Sequence, residues 1–264
     1  MKPFRSKQRI DRDVTGLRPA MWKHAVFAPC SAARAGFTLV ELLVVIAIIG
    51  VLGSLLMPSL SSSKAKVQRV ACCNNIRQIL LASLMYSDED RLGSFTTDTR
   101  QTPGKRSDSD DDLSHFYPRP ITDLRVFLCP ATRNRIRSDL FKTDPITGES
   151  YLADLSDYDH GPADAGMSYE CFGVMAWEVR KTIDSVNAYV HKNTNFNLFG
   201  IQPGPSQIWL ILDGEKGRNT LANGNHGSTG ANVGHCDGHV DWIRKPDWDR
   251  RYEISQDEGD GNPN

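Results

Sequence analysis

The amino-acid sequence predicts an α+β fold, in which one long N-terminal helix packs on an antiparallel β-sheet formed by the C-terminal part of the chain. Three features indicate this class. Residues 37–57 form a nearly continuous apolar run, residues 58–87 continue it with an amphipathic pattern, and short apolar segments separated by turns follow from residue 126. The helix is therefore expected to have a membrane-spanning half and an amphipathic half.

The apolar run from Phe37 to Met57 is long enough to cross a bilayer. It holds 21 residues, of which only Glu41 can carry a charge. A helix of this length would measure about 31 Å, close to the roughly 30 Å thickness of the hydrocarbon core. Because a carboxylate inside a membrane is costly, Glu41 is a candidate functional residue.

Gly36, Phe37 and Glu41 occupy a recognisable spacing at the start of this run. The segment closely resembles the class III signal of type IV pilins and type II secretion pseudopilins. That resemblance implies cleavage after Gly36 by a prepilin peptidase, methylation of the new amine of Phe37, and a role for Glu41 in assembly. A buried Glu41 would pair with an ammonium of its own or a neighbouring subunit, which offsets part of its desolvation cost. The alternative is an ordinary signal anchor whose Glu41 lies near the lipid headgroups.

Residues 1–36 are basic and lack an apolar core, so they look like a cytoplasmic leader rather than a Sec signal. Met21 is an alternative start to Met1. The leader holds eight of the 31 Lys and Arg but two of the 32 Asp and Glu, so the remaining 23 basic and 30 acidic residues give about −7. This acidity argues against nucleic acid as a partner.

The helix is expected to continue past the membrane to about residue 87. Pro58 removes one helical hydrogen bond and should kink the axis. Beyond it, no Pro or Gly occurs up to Ser87, and small or apolar residues recur at helical spacing. We expect that side of the helix to lie on a globular domain, residues 88–264. It comprises Val67, Val70, Ala71, Ile76, Ile79, Leu80, Ser83 and Leu84.

The globular domain should be β-rich. Segments 126–130, 168–174 and 208–212 are candidate strands, and a hairpin with a two-residue type I′ turn is expected over 231–243. Residues 96–114 indicate a long surface loop, whose acidic run lacks the spacing of an EF-hand loop. From Pro246 the chain turns acidic and then rich in Gly and Asn, which is typical of a frayed, disordered tail.

His226, Asp237 and Gly238 belong to a second resemblance. They are similar to the processing-associated domain at the C-terminus of many prepilin-like proteins, whose pattern is a His, nine residues, then Asp-Gly. Here ten residues separate His226 from Asp237. The segments Leu128-Cys129-Pro130 and Leu212-Asp213-Gly214 also resemble sequences of that group.

Zinc-type ligands crowd the same region: His226, His235, Cys236, Asp237 and His239. A two-residue turn would pair Cys236 with His239 and place His235 on the opposite face. That register opposes a shared metal, so no metal ligand is assigned.

Calcium is a further alternative. Asp213 with Glu215, or Asp237 with Asp241, could hold it, although the loop typical of major pseudopilins is not visible. No nucleophile elbow, phosphate loop or zincin motif occurs, so no cofactor and no catalytic residue is assigned.

Six cysteines occur, and Cys30 would leave with the leader. The other five would lie in a compartment that permits disulfides, where an odd number cannot all pair within one chain. Their connectivity stays open.

The favoured function is therefore a structural subunit, a pilin or pseudopilin, rather than an enzyme. It would be a single-pass protein of the inner membrane, with its N-terminus in the cytoplasm and its C-terminal domain outside. The resemblance implies three partners: prepilin peptidase, other pilin or pseudopilin subunits, and the inner-membrane assembly platform. The alternative is a membrane-anchored extracytoplasmic domain that binds a ligand or metal and merely uses this signal.

Overall fold

The computed structural model describes residues 36–96, 112–143, 148–156, 166–175, 179–192, 194–214 and 224–256. The described residues divide into two units, one up to Val51 and one from Leu52 onward. The leader up to residue 35, residues 97–111 of the predicted loop, Glu215, and the last eight residues of the tail lie outside the described residues.

One long helix, α1, runs from Leu39 to Glu89 and contains Pro58. Apart from Glu41 and Ser54, its residues from Leu39 to Met57 are apolar or glycine, and almost all of them are exposed. Among the described residues, α1 is the one helix long and apolar enough to span a membrane. The predicted long N-terminal helix is thus confirmed.

The packing face of α1 begins later than predicted. Its buried residues recur at helical spacing from Cys72 to Ser87 and include Ile76 and Leu80. Val67 and Val70 are exposed, so the prediction that they pack on the domain is wrong. Val67 precedes Ile76 by nine residues, which is about two and a half turns at 3.6 residues per turn, and it therefore points to the opposite side.

The chain forms eight strands: β1 Phe141–Thr143, β2 Ser150–Leu152, β3 Glu170–Cys171, β4 Val174–Met175, β5 Val179–Arg180, β6 Trp209–Leu212, β7 Gly230–His235 and β8 Val240–Arg244, counted over the described residues. The main sheet has four antiparallel strands in the order β3-β6-β7-β8, and two short hairpins, β1-β2 and β4-β5, accompany it. The predicted α+β class is therefore confirmed. A short helix, α2, spans Ile183–Ala188.

The two faces of the sheet bury separate apolar clusters. On one face, Ile76 and Leu80 of α1 pack with Leu210 and Ile211. On the other, Trp209 and Val233 pack with aromatic residues that follow β8. A Cβ added to Gly234 would lie 2.7 Å from Cγ2 of Ile76, so a glycine in β7 lets α1 approach closely.

The chain after β8 is a helix, α3, spanning Lys245–Gln256. Its Trp248 and Tyr252 are buried, and their rings lie 4.9 and 5.6 Å from the ring of Trp209. The prediction of a frayed tail from Pro246 is therefore wrong up to Gln256. Pro246 lies in the first turn of α3, where its missing N–H is not needed.

Segment 126–130 is not a strand. Residues Leu124–Phe127 form a 3-10 helix in which the Asp123 side chain accepts a hydrogen bond from the backbone N–H of Arg125. Leu128 follows with extended backbone angles. Side-chain capping by Asp123 competes with strand formation, and an apolar run alone does not reveal it.

The predicted hairpin exists, but its register is wrong by one residue. Gly234 pairs with Val240, and the N–H of His235 donates to the carbonyl of His239 at 2.9 Å. The turn thus has three residues rather than two, and Gly238 adopts a φ of +90°. A glycine in this conformation is typical of a three-residue hairpin loop. Compared with the predicted two-residue loop, the extra loop residue places every side chain of β8 on the opposite face of the sheet.

Candidate functional site

The predicted processing segment, Gly36–Phe37, precedes α1 and is neither helix nor strand. Both residues are exposed. A Cβ added to Gly36 would meet no atom within 4 Å, and its φ is not positive. The fold itself therefore places no steric demand for glycine at position 36.

Thr38 and Glu41 form a capping box at the start of α1. The backbone N–H and the hydroxyl of Thr38 donate to Oε2 of Glu41 at 2.8 and 2.7 Å, and the N–H of Glu41 donates to Oγ1 of Thr38 at 3.2 Å. This reciprocal pattern satisfies donors that the first helical turn leaves unpaired. Within the described residues, Oε1 of Glu41 makes no hydrogen bond.

His226 and the Asp237-Gly238 pair have different surroundings. Asp237 Oδ1 accepts from the N–H of His239 at 3.1 Å, and the N–H of Gly238 donates to the carbonyl of His235 at 2.9 Å. These contacts shape the turn between β7 and β8. His226 instead contacts Asp213 and Cys129 on the α1 side of the domain.

Four segments that are distant in sequence meet at His226. Cys72 lies on α1, Cys129 follows the 3-10 helix Leu124–Phe127, Asp213 follows β6, and His226 precedes β7. One potential ligand atom from each of these side chains lies within 4.8 Å of all the others. We call these residues the C2DH cluster.

The Cys129 segment is fixed on α1 by side-chain hydrogen bonds. Asn75 Nδ2 donates to the carbonyl of Leu128 at 3.0 Å, and Gln68 Nε2 donates to the carbonyl of Pro130 at 2.9 Å. These bonds satisfy two backbone carbonyls that are not paired in a β-sheet. They hold Cys129 opposite Cys72, which lies about one helical turn from both Gln68 and Asn75 on α1.

A β-bulge in β6 directs Asp213 into the cluster. The pairing of β6 with β7 shifts between Trp209 and Ile211, so Leu210 and Ile211 both contribute to the α1 side. Leu212 then faces α3, and Asp213 contacts α1. An extra residue in one strand makes the side chains of the following residues point to the opposite face of the sheet. Without the bulge, alternation would turn Asp213 away from Cys72.

Asp213 is the central acceptor of the cluster. Its Oδ2 accepts from Cys72 Sγ at 2.6 Å and contacts His226 Nε2 at 2.8 Å. Its Oδ1 accepts from Asn225 Nδ2 at 2.7 Å. Sγ of Cys129 lies 3.4 Å from His226 Nε2. A fully buried carboxylate is thus surrounded by polar partners, as burial of a charge requires.

Burial and mutual contacts shift the pKa values of the cluster. Burial raises the pKa of the Cys72 thiol, whereas the hydrogen bond with Cys72 lowers the pKa of Cys129. Burial alone would lower the pKa of His226, but the hydrogen bonds with Asp213 and Cys129 outweigh it and raise that pKa to about 10. The cluster thus favours negative charge at Cys129 beside a protonated His226.

A second group of potential ligands, His235, His239 and Asp241, lies on the hairpin. The observed register brings the two histidines together, contrary to the predicted one. Their rings stack with centroids 4.1 Å apart and planes only 5° from parallel. Ring nitrogens bind metals in the plane of the ring, at about 2.0–2.1 Å. Two parallel planes this far apart share no such position, so this pair does not fit one ion.

The sequence did not reveal the C2DH cluster. Leu128-Cys129-Pro130, Leu212-Asp213-Gly214 and His226 each carry a family resemblance, but no local pattern joins them to Cys72 or to one another. Within the described residues, Cys236, one of the zinc-type residues crowded at 226–239, belongs to neither group of potential ligands, and its Sγ lies 4.0 Å from the carbonyl of Trp209. Asp237 pairs with His239 instead: Nδ1 of His239 lies 2.5 Å from Oδ1 of Asp237.

Residues 31–57 match the family described as the prokaryotic N-terminal methylation motif. With the long apolar helix that follows, this match fits a type IV pilin-like protein that is a substrate of prepilin peptidase. It also supports a membrane-anchored, single-pass protein. No curated protein and no solved structure is significantly similar to the chain.

Proposed function

We propose that this chain is a structural subunit, a pilin or pseudopilin, of a type IV pilus-like or type II secretion filament. It waits in the inner membrane with its N-terminus in the cytoplasm until prepilin peptidase removes the leader. The observation that carries the proposal is the coincidence of the methylation motif, residues 31–57, with the start of a long, exposed apolar helix at Leu39.

The cleavage point is Gly36–Phe37. The segment is exposed and irregular, as a peptidase substrate must be, and the fold has no steric need for glycine at position 36. The glycine is therefore best explained by the peptidase, whose active site must accept the chain at that residue. Cleavage there would place a methylated amine on Phe37, next to the capping box.

Glu41 serves assembly through its free oxygen. Thr38 occupies Oε2, whereas Oε1 has no partner among the described residues and is exposed with the rest of the side chain. In a filament core this oxygen would accept the ammonium of a neighbouring Phe37. Pairing of the two charges would offset their joint desolvation, and it would set the register between subunits.

The outer side of α1 offers further contact surface. Between Lys66 and Arg77, an open groove is lined by Val67, Val70, Ala71 and Cys73, on the side turned away from the sheet. Both valines are about two-thirds exposed. Exposed apolar side chains of this kind favour a partner, and neighbouring copies of α1 would supply one.

The test is the intact mass and the N-terminal peptide of the protein recovered from membranes of its host. The proposal predicts a chain that begins at N-methylated Phe37. A chain that still begins at Met1 or Met21 would contradict it, since Glu41 would then have no terminal ammonium to pair with.

A membrane-anchored domain that binds a metal or ligand is the second candidate, and the C2DH cluster is the observation that favours it. Recovery of processed chains only as unassembled, membrane-bound protein would support this candidate over a filament subunit. Cross-linking between neighbouring copies through Cys73, in the α1 groove, would support the filament.

A further inference from the structure

We propose that Cys72, Cys129, Asp213 and His226 form a structural zinc site that fastens α1 to the globular domain. Each side chain offers one ligand atom, and the four atoms lie within 4.8 Å of one another. Two sulfurs, one imidazole nitrogen and one carboxylate oxygen make a set of four that Zn²⁺ binds in tetrahedral sites. The N-terminal methylation motif, residues 31–57, contains none of these four residues.

The spacing fits zinc after small movements. Bond lengths of about 2.3 Å to sulfur and about 2.0 Å to nitrogen or oxygen place tetrahedral ligands roughly 3.3–3.8 Å apart. The Cys129 Sγ to His226 Nε2 distance of 3.4 Å already meets this. The Asp213 contacts, 2.6 Å to Cys72 and 2.8 Å to His226, are hydrogen bonds that would open by about 0.5–1 Å when the metal replaces the protons.

The chemistry of the ligands selects the metal. Thiolates favour zinc over calcium or magnesium, which need several oxygen ligands, and the cluster offers only one carboxylate. Binding releases the protons carried by Cys72 and His226 and leaves Cys129 a thiolate, so the two thiolates and the carboxylate balance the ion to a net charge of about −1.

Outer contacts hold the ligands in place. Asn225 Nδ2 donates to Oδ1 of Asp213 at 2.7 Å, and Asn232 Nδ2 lies 3.4 Å from Oδ2, so the carboxylate is oriented from both sides. Hydrogen bonds that orient the ligands in this way usually accompany a metal site. A cavity of about 340 Å³ lined by Gln68, Arg69 and His226 opens next to the cluster and provides access.

Four protein ligands leave no open position for a substrate, which makes the site structural rather than catalytic. It would join α1, the Cys129 segment, the end of β6 and the segment before β7. The domain would thereby gain one cross-link between four parts of the chain in place of disulfides.

The first test uses the full-length protein, purified in detergent from membranes with a tag free of histidine and without chelators. Elemental analysis should give about one zinc per chain, and Cys129→Ser should lose most of it. Cys73→Ser is the matched control, because Cys73 is the neighbour of Cys72 on α1 but lies outside the cluster. It should keep the metal. Zinc-free wild-type protein, or equal zinc in both variants, would overturn the proposal.

Two measurements on the wild type keep the result independent of variant folding. Exchange of the metal for Co²⁺ should produce a thiolate-to-cobalt charge-transfer band and the visible spectrum of a tetrahedral ion. Alkylation should reach Cys72 and Cys129 only after chelation. A Cys72–Cys129 disulfide in the unreduced peptide map, or an octahedral cobalt spectrum, would refute the site.

Discussion

The thiol of Cys72 donates a hydrogen bond of 2.6 Å to Asp213, although 141 residues separate the two in the chain. The carboxylate also accepts from Asn225 at 2.7 Å and contacts His226 at 2.8 Å. One buried acid thus connects the α1 helix with two segments of the sheet domain. The packing of α1 on the domain therefore depends on a polar centre as well as on apolar contacts.

Asp213→Ala should destabilise the protein by about 3–5 kcal/mol, because it strands buried polar partners. Urea unfolding of the detergent-solubilised chain, followed by tryptophan fluorescence, measures this. Asp123→Ala is the matched control: it removes an exposed ion pair with Arg125 and the cap of a short 3-10 helix, so it should cost only about 1 kcal/mol. Equal losses for the two variants would mean that Asp213 is not a central acceptor.

Gly36→Ala should block removal of the leader without changing the fold, because a Cβ at this position meets no neighbour. Mass spectrometry of the N-terminal peptide reads the outcome directly. Gly50→Ala, in the apolar part of α1, also meets no neighbour and should be processed normally. Normal cleavage of both variants would remove the special role of Gly36.

Glu41→Ala should yield a processed protein that enters filaments poorly, since the neighbouring ammonium would lose its counter-ion. Thr38→Val separates this role from helix capping, because it removes the hydroxyl that bonds Glu41 but keeps the carboxylate. Sheared filament fractions, probed for the subunit, should show loss for Glu41→Ala and near-normal amounts for Thr38→Val. If Thr38→Val fails equally, the capping box explains the requirement for Glu41.

Gly234→Val should cost about 1–3 kcal/mol through overpacking. Its Cβ would lie 2.7 Å from Cγ2 of Ile76 and 2.8 Å from Cδ1 of Leu80 on α1. The double variant with Ile76→Ala creates room, so its measured loss should be smaller than the sum of the two single losses. Simple additivity would show that β7 and α1 do not press on each other at this point.

His235 should make the protein less stable in mild acid. Burial is the main reason that its pKa falls to about 4, with a further contribution from His239, whereas Asp241 and Asp237 oppose the shift and Arg251 supports it. In the unfolded chain His235 becomes protonated near pH 6.5, whereas in the folded chain it stays neutral until about pH 4.

The stability that His235 contributes is therefore complete above pH 6.5 and is lost as the pH falls toward 4, by about 3 kcal/mol in total. Urea unfolding at several pH values should show this slope in the wild type and a flatter curve in His235→Leu. His239→Gln removes the smaller contribution to the pKa shift, and it should keep most of the slope because burial of His235 remains. An unchanged slope in His235→Leu would assign the acid sensitivity to other groups.

Errors in the predicted structure arose where a local pattern has two physical meanings. The ordered domain was predicted to end at Pro246, but proline is favoured in the first turn of a helix. Trp248 and Tyr252 are four residues apart, which is the spacing of one buried helix face. Asp237-Gly238 fits both a two-residue and a three-residue hairpin loop. The choice between them depends on how the whole strand packs.

Features encoded in neighbouring residues could be predicted from the sequence: the methylation motif that includes Gly36–Glu41, the long helix that follows, the strand at 208–212 and the existence of the hairpin. Helical period, apolar length and turn residues are local properties, so they can be read without the fold. Tertiary structure alone decided the facing of Asp213, the pairing of His235 with His239, and the meeting of Cys72 with Cys129 and His226. Those depend on a bulge, a glycine conformation and contacts over more than 50 residues, which no local pattern specifies.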